Sequence, residues 1–126
     1  MAEVTIFHNP RCSKSRQALD EVAGAGVVPT VVQYLKEPLD RAGLVRLLAM
    51  LEDAPGALVR RDPRFKELGL TASDVETAEQ VVDVLEAHPE LMERPVLVKG
   101  DRAIIGRPTE RVRPFIHKTP ILTSRF

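Results

Sequence analysis

Two short apolar runs joined by a helical segment constrain the fold of this chain more than any other feature of its sequence. Residues 4–7 (VTIF) and residues 30–35 (TVVQYL) are rich in β-branched side chains, which favours strands. Residues 13–23 place their apolar side chains at helical spacing, and Gly24 and Gly26 end that helix. A crossover of this length joins parallel strands, so this part of the chain predicts a β-α-β unit.

The middle of the chain, about residues 40–90, predicts a helical insertion after the second strand. Asp40 is a good helix cap, and the leucines that follow it trace one apolar stripe at helical spacing. Thr77 and Gln80 have the spacing of a capping box, which marks the start of another helix. Between these helices, residues 55–70 predict short helical pieces interrupted by proline and glycine.

The C-terminal third predicts a β-hairpin followed by a last helix. Residues 95–98 (PVLV) and 103–105 (AII) are short apolar runs that flank Gly100-Asp101, a pair typical of hairpin turns. We expect the last helix over residues 108–116, because a proline at its first position suits a first helical turn.

This element order predicts an α/β protein with a thioredoxin-like fold. We expect a four-stranded mixed sheet (β-α-β, then β-β-α), with the helical insertion between the second and third strands. A chain of 126 residues with 44% hydrophobic residues can bury one core without disulfides or metal ions, so we expect a single domain over residues 1–126. Residues 117–126 show no periodicity, and we expect a disordered tail there.

The charge balance and the apolar pattern argue against several classes of partner. The 18 lysines and arginines equal the 18 aspartates and glutamates, so no overall field draws the chain to nucleic acid or to a membrane surface. No apolar run approaches the ~20 residues of a membrane-spanning helix. The chain begins without the segments of a secretory signal and has one cysteine, so we expect a cytoplasmic protein.

The single cysteine, Cys12, lies between the first predicted strand and the first predicted helix. Backbone N–H groups and the positive end of the helix dipole favour a thiolate there, and lower its pKa below the free value of about 8.5. The same N–H groups bind oxyanions. The alternative is an inert buried thiol, but the flanking residues, Pro10-Arg11 and Ser13-Lys14, do not form an apolar face. The segment therefore predicts a nucleophilic thiolate beside an anion site.

Three neighbours are expected to support this thiol. The hydroxyl of Ser15 is placed to donate to the sulfur, and Arg16 adds positive charge. We expect His8 to orient or charge the loop, since its imidazolium form would favour the thiolate. The other two histidines lie far away in sequence, so we expect no metal site.

Two known cysteine motifs are excluded by counting. The C-x5-R loop of low-molecular-weight phosphatases needs an arginine where this chain has Ala18. The C-x-x-C dithiol of thioredoxins needs a second cysteine where this chain has Ser15. Because an oxidised or adducted thiol must be attacked by another thiol, the reductant must come from outside the chain.

Four separate motifs follow one another along the chain: HNPRCSKSR at residues 8–16, LVRR at 58–61, HPELMERPVLV at 88–98 and IIGRPTE at 104–110. In this order and at these separations they closely resemble the glutaredoxin-dependent arsenate reductase (ArsC) family over residues 4–116. The resemblance implies a thioredoxin-like fold without a bound cofactor. It also implies that one cysteine attacks arsenate, that glutathione as co-substrate then joins the arsenic, and that glutaredoxin reduces the adduct so that arsenite leaves.

The family's functional residues map onto this chain one by one. The resemblance implies Cys12 as the nucleophile, Arg60, Arg94 and Arg107 as oxyanion-binding residues, and His8, Ser15 and Arg16 as supporting residues. Arg61, next to Arg60, is the alternative ligand at that place. Guanidinium groups bind oxyanions bidentately and stay charged, whereas a surface arginine usually forms an ordinary ion pair. Arg94-Pro95 matches the place where thioredoxin-like folds carry a cis proline.

Two other functions fit parts of this pattern. A glutathione-linked thiol oxidoreductase acting on another oxyanion or on a glutathionylated protein would keep Cys12 and change the substrate. An Spx-type transcriptional regulator that binds RNA polymerase shares the predicted architecture, but its redox switch is usually a C-x-x-C that Ser15 removes here.

Overall fold

The structure, a computed structural model, describes residues 3–117, which form four strands and five α-helices. The strands are β1 (Val4–His8), β2 (Thr30–Gln33), β3 (Val96–Lys99) and β4 (Arg102–Ile105). The helices are α1 (Ser13–Gly24), α2 (Arg41–Met50), α3 (Pro63–Glu67), α4 (Ala78–Ala87) and α5 (Val112–His117). The predicted tail lies outside the described residues, apart from His117, which ends α5.

The four strands form one mixed sheet in the order β2-β1-β3-β4. β1 and β2 are parallel, as their connection through α1 requires, and β3 runs antiparallel to both β1 and β4. Phe7 near the end of β1 lies opposite Val96 at the start of β3, and Val96 lies opposite Ile105 at the end of β4. The predicted thioredoxin-like sheet is thus confirmed, and the segments that follow β1, β2 and β4 and the one that precedes β3 meet at one end of it.

Alternate residues of β1 point to opposite faces of the sheet, as the pleat of a strand requires. Ile6 is fully buried in an apolar cluster that contains residues of α1 and α5. Phe7 packs into a larger cluster with residues of α2, α3 and α4. The helical insertion and the terminal helices therefore cover opposite faces, and the sheet is held rigidly between them.

The predicted helix starts in the insertion are confirmed. Asp40 caps α2, since its carboxylate accepts the Gly43 N–H at 2.8 Å. Thr77 and Gln80 form a reciprocal capping box at the start of α4. Asp62 caps α3 in the same way, although the sequence alone did not single it out.

Two elements differ from the sequence prediction by more than a shift of one residue. β2 ends at Gln33 because its carbonyl accepts the N–H groups of Lys36 and Glu37, which turns the chain away from the sheet. The last helix is divided into a 3-10 turn, Thr109–Arg111, and α5. The predicted hairpin between β3 and β4 is confirmed, and Gly100 in its turn has a φ of 64°, a conformation that favours glycine.

Within residues 3–117, each helix is too short or too polar to cross a bilayer.

Candidate active site

Cys12 is the N-cap residue of α1, at the end of the loop that follows β1. Its backbone is extended, with φ −96° and ψ 120°, and its own N–H donates to the Asn9 carbonyl at 3.0 Å. The Cys12 carbonyl accepts the Arg16 N–H at 3.0 Å and so begins the helix ladder. The partly exposed thiol therefore lies at the positive end of a helix of 12 residues.

The surroundings of Cys12 favour its thiolate. Burial raises the pKa of the thiol, but the hydrogen bond and charge of Arg94 and the backbone N–H groups of Ser15 and Lys14 lower it by more. The pKa of Cys12 is therefore below its ordinary value, as the position at a helix start predicts. Because the thiolate is the nucleophilic form, this thiol is activated at neutral pH relative to a free cysteine.

Two arginines reach the sulfur from the ends of the β-hairpin. The NH2 group of Arg107 lies 3.4 Å from Cys12 Sγ, and Arg107 Nε donates to the Arg94 carbonyl at 2.7 Å. Arg94 directly precedes Pro95 and β3, and Arg107 follows β4, so the sheet register itself brings both beside the cysteine loop. The Arg94-Pro95 peptide is cis, and so is the peptide between Arg107 and Pro108.

Arg60 joins this group through one shared carboxylate, that of Glu93. Its guanidinium forms an ion pair with Asp62 at 3.0 Å, and its Nε lies 3.7 Å from Glu93 Oε1. The neighbouring Arg61 is exposed, and its guanidinium lies beside Gly56. The structure thus places Arg60, rather than Arg61, with the other two arginines.

Glu93 is a site residue that sequence reasoning missed. Its Oε1 accepts the Arg94 N–H at 3.1 Å and lies 3.6 Å from Arg107 Nε, in addition to its contact with Arg60. One carboxylate therefore lies between the guanidinium groups of Arg60 and Arg107 and accepts the backbone N–H of Arg94. The only sequence signal was its position directly before Arg94. That position is not sufficient to identify it, because most glutamates are exposed surface residues.

Ser15 and His8 support the loop differently from the sequence expectation. Ser15 is fully buried, and its hydroxyl accepts the Asn9 N–H at 3.1 Å and lies 2.7 Å from His8 Nδ1. The group of Ser15 that faces the sulfur is its backbone N–H, not its hydroxyl. The expected donation from the hydroxyl to the sulfur is therefore wrong, since that hydroxyl fixes the base of the loop instead.

The proposed imidazolium form of His8 is also not supported. Burial, with a smaller effect of the Arg16 charge, lowers the pKa of His8, so the ring is neutral near pH 7. Arg16 donates to the Pro10 carbonyl at 2.8 Å and so braces the same loop. His8 and Arg16 thus orient the cysteine loop, and the positive charge near the sulfur comes from the hairpin arginines.

Tyr34 is a second site residue that sequence reasoning missed. The side chain is 1% exposed, and its hydroxyl donates to the Met92 carbonyl at 3.4 Å. Burial raises the pKa of Tyr34, an effect that the nearby guanidinium of Arg94 partly offsets. Arg94 Nε is buried without a hydrogen-bond partner among residues 3–117, so this guanidinium is held by contacts with Tyr34 and Cys12.

The arrangement suits nucleophilic attack on an anion. A thiolate, helix N–H groups and the guanidinium groups of Arg94 and Arg107 converge, and Glu93 links Arg60 to Arg107. The guanidinium charges offset the repulsion between a thiolate and an oxyanion. In the part of the chain that the structure describes, no three His, Cys, Asp or Glu side chains form a group that could hold a metal ion. The lowered pKa of the thiol and the adjacent guanidinium groups favour attack by sulfur on a bound anion.

Known proteins resemble this chain in sequence and in fold. The model of the ArsC family matches residues 7–115. The chain is 42% identical over 112 residues to the uncharacterized protein YfgD of Escherichia coli, covering 87% of this chain and 93% of that protein. It is 38% identical over 114 residues to an arsenate reductase of Neisseria meningitidis serogroup B, covering 89% and 97% of the two chains. Among solved structures, an arsenate reductase from Vibrio cholerae aligns with a TM-score of 0.79 and 35% identity, covering 88% of this chain and 95% of that one.

Proposed function

This chain belongs to the ArsC family, and from that premise we propose that it reduces arsenate to arsenite through a covalent adduct on Cys12. The observation that carries the proposal is the contact of 3.4 Å between Arg107 and the Cys12 sulfur, with Arg94 beside them. Arsenate is a tetrahedral oxyanion that is mostly doubly charged near neutral pH. Guanidinium groups next to the nucleophile would bind its oxygens as a sulfur–arsenic bond forms.

The first half of the proposed reaction builds the adduct. The Cys12 thiolate attacks arsenic(V), and one arsenate oxygen leaves as water after it takes up protons. The thiol of glutathione then replaces a second oxygen, which also leaves as water. At this stage arsenic is bonded to two sulfurs, one from Cys12 and one from glutathione, and its oxidation state is unchanged.

The second half transfers two electrons and frees the enzyme. A glutaredoxin thiolate attacks the glutathione sulfur, and a mixed disulfide forms between glutaredoxin and glutathione. The bond between the glutathione sulfur and arsenic breaks, and its electron pair stays on arsenic, which becomes arsenic(III). Water then displaces Cys12, arsenite leaves and the thiolate is restored. An external reductant is required because Cys12 is the only cysteine of the chain.

A cleft beside the cysteine loop supports glutathione as the co-substrate. It has a volume of about 240 Å³ and is lined by residues of the loop and of the segment after β2. Arg11 and Lys36 supply positive charge to it, and Leu35 and Pro10 supply apolar surface. Glutathione is a small peptide thiol with two carboxylates, which the charges of Arg11 and Lys36 would attract. Glutathione and glutaredoxin are reductants of the cytoplasm, so we place the activity there.

The test is reconstitution with purified components. The full chain, arsenate, glutathione and glutaredoxin are mixed, and arsenite is measured. We expect turnover that needs all four components and that Cys12→Ser abolishes. Asp20→Ala, which changes an exposed side chain of α1 eight residues away, is the control and should retain activity. Arsenite formation by Cys12→Ser would contradict the mechanism, and equal turnover without glutaredoxin would contradict the proposed reductant.

A further inference from the structure

A carboxylate lies inside the arginine group that binds the oxyanion under the proposed function. Glu93 Oε1 is 3.7 Å from Arg60 Nε and 3.6 Å from Arg107 Nε, and it accepts the Arg94 N–H at 3.1 Å. An anion site that only had to attract negative charge would be weakened by such a group, because like charges repel at these distances. The position of Glu93 therefore indicates a function other than the attraction of negative charge.

Neutralisation of the arginines does not account for Glu93. Arg60 already has a closer partner in Asp62, at 3.0 Å against 3.7 Å for Glu93. The distances from Glu93 to Arg60 and Arg107 also exceed those of well-formed hydrogen bonds. Oε1 accepts the backbone N–H of Arg94 and makes the shortest contacts with both guanidinium groups, while Oε2 makes no hydrogen bond within residues 3–117, and 22% of the side chain is exposed. One carboxylate oxygen is thus left as an acceptor beside the anion site.

We propose that Glu93 determines specificity by accepting a hydrogen bond from a protonated oxyanion. The inference rests on the proposed function, because it places the oxyanion between Cys12 and the arginines. At neutral pH, arsenate and phosphate keep at least one O–H group, whereas sulfate has lost both protons. The O–H group of the anion would donate to Glu93 Oε2. An oxyanion without an O–H group would place its own lone pairs against those of the carboxylate, and the two acceptors would repel each other. A site built to accept a hydrogen bond from its ligand strongly rejects an analogue that lacks the donor.

Protection of Cys12 from alkylation measures this selectivity directly. Because Cys12 is the only thiol of the chain, its rate of reaction with iodoacetamide reports on this site alone. Phosphate is the protonated probe, since thiols do not reduce it, and sulfate is the unprotonated one. The rates are measured on the full chain at constant ionic strength and neutral pH. Each protection constant is compared only within one variant, so changes in the intrinsic reactivity of the thiol cancel.

We expect phosphate to protect the wild-type chain at least about tenfold more tightly than sulfate, a ratio typical of one charged hydrogen bond. The isosteric change Glu93→Gln should reduce this ratio about tenfold. The main effect should be tighter protection by sulfate, because the amide can donate a hydrogen bond to it. Glu90→Gln makes the same change three residues away, in a glutamate paired with Arg64, and should leave the ratio unchanged. Circular dichroism of each variant checks that it is folded.

Three results would overturn the inference. Equal protection of the wild-type chain by phosphate and sulfate would do so without any variant. If phosphate and sulfate both protect Glu93→Gln more tightly by the same factor, Glu93 acts only as a counter-ion. An unchanged ratio of the two protection constants would likewise show that Glu93 does not contact the anion. Arsenite formation measured in parallel separates the two proposals. Turnover with an unchanged ratio rejects only the role of Glu93, and a changed ratio without turnover rejects only arsenate reduction.

Discussion

Replacement of Arg107 by lysine separates the charge of this side chain from its shape. Arg107 uses both edges of its guanidinium, since NH2 lies 3.4 Å from the Cys12 sulfur and Nε donates to the Arg94 carbonyl at 2.7 Å. A lysine keeps the positive charge, but a single ammonium on a flexible stem cannot hold both contacts in a fixed plane. The variant Arg107→Lys should therefore keep the attraction for an anion and lose the fixed orientation.

The expected loss follows from the contacts that are given up. A hydrogen bond to a charged group contributes about 1.5–3 kcal/mol. The side chain of Arg107 is 36% exposed, so water can replace part of the lost interaction, and the lower end of that range applies. A loss of about 1.5 kcal/mol of transition-state stabilisation corresponds to roughly a tenfold fall in kcat/KM.

The assay is arsenite formation with glutathione and glutaredoxin in excess, so that kcat/KM for arsenate reports on binding and attack. Arg64→Lys is the matched control, because Arg64 is an exposed arginine of α3 that pairs with Glu90. It should change kcat/KM by less than about twofold, in keeping with the small contribution of surface ion pairs. Activity of Arg107→Lys within twofold of the wild-type value would refute the reasoning, because charge alone would then be sufficient.

Three further predictions concern protonation and stability. Arg94→Ala should raise the pKa of Cys12, because burial then acts with less opposition, and the pH profile of iodoacetamide alkylation should move to higher pH. Burial lowers the pKa of His8 below 6.5, so the unfolded state takes up a proton more readily. The free energy of unfolding should therefore fall as the pH drops below about 6.5, and His8→Asn should flatten that dependence in urea titrations at several pH values. Asp40→Ala removes the cap of α2 and should lower the free energy of unfolding by about 1 kcal/mol.

Each of these three predictions has a control or an opposing result. An unchanged alkylation profile in Arg94→Ala would show that the helix N–H groups alone set the pKa of Cys12. A pH dependence that is the same in His8→Asn would assign the loss of stability in acid to other groups. Asp20→Ala, an exposed position inside α1, is the control for Asp40→Ala, and equal losses in both variants would argue against a capping effect.

The sequence by itself determined most of the elements of this protein and the position of its one thiol at the start of α1. The caps at Asp40 and Thr77, the turn at Gly100 and the start of α1 at Cys12 all depend on neighbours within a few residues along the chain. Such local hydrogen bonds and backbone preferences can be read from spacing alone. The helical crossover between β1 and β2 then determined that these two strands are parallel, because a connection of that length is typical of parallel neighbours.

The tertiary structure decided which side chains surround the sulfur. Cys12 and Arg107 are 95 positions apart, and only the register of β1, β3 and β4 makes them neighbours. The choice of Arg60 over Arg61, and the carboxylate of Glu93 among the arginines, depend on how separate loops meet at one end of the sheet. Ser15 shows the same limit, since its spacing from Cys12 suggested a bond to sulfur while the fold gives its hydroxyl to His8 and Asn9. Local patterns carry no information on such contacts, because they are settled by packing between distant segments.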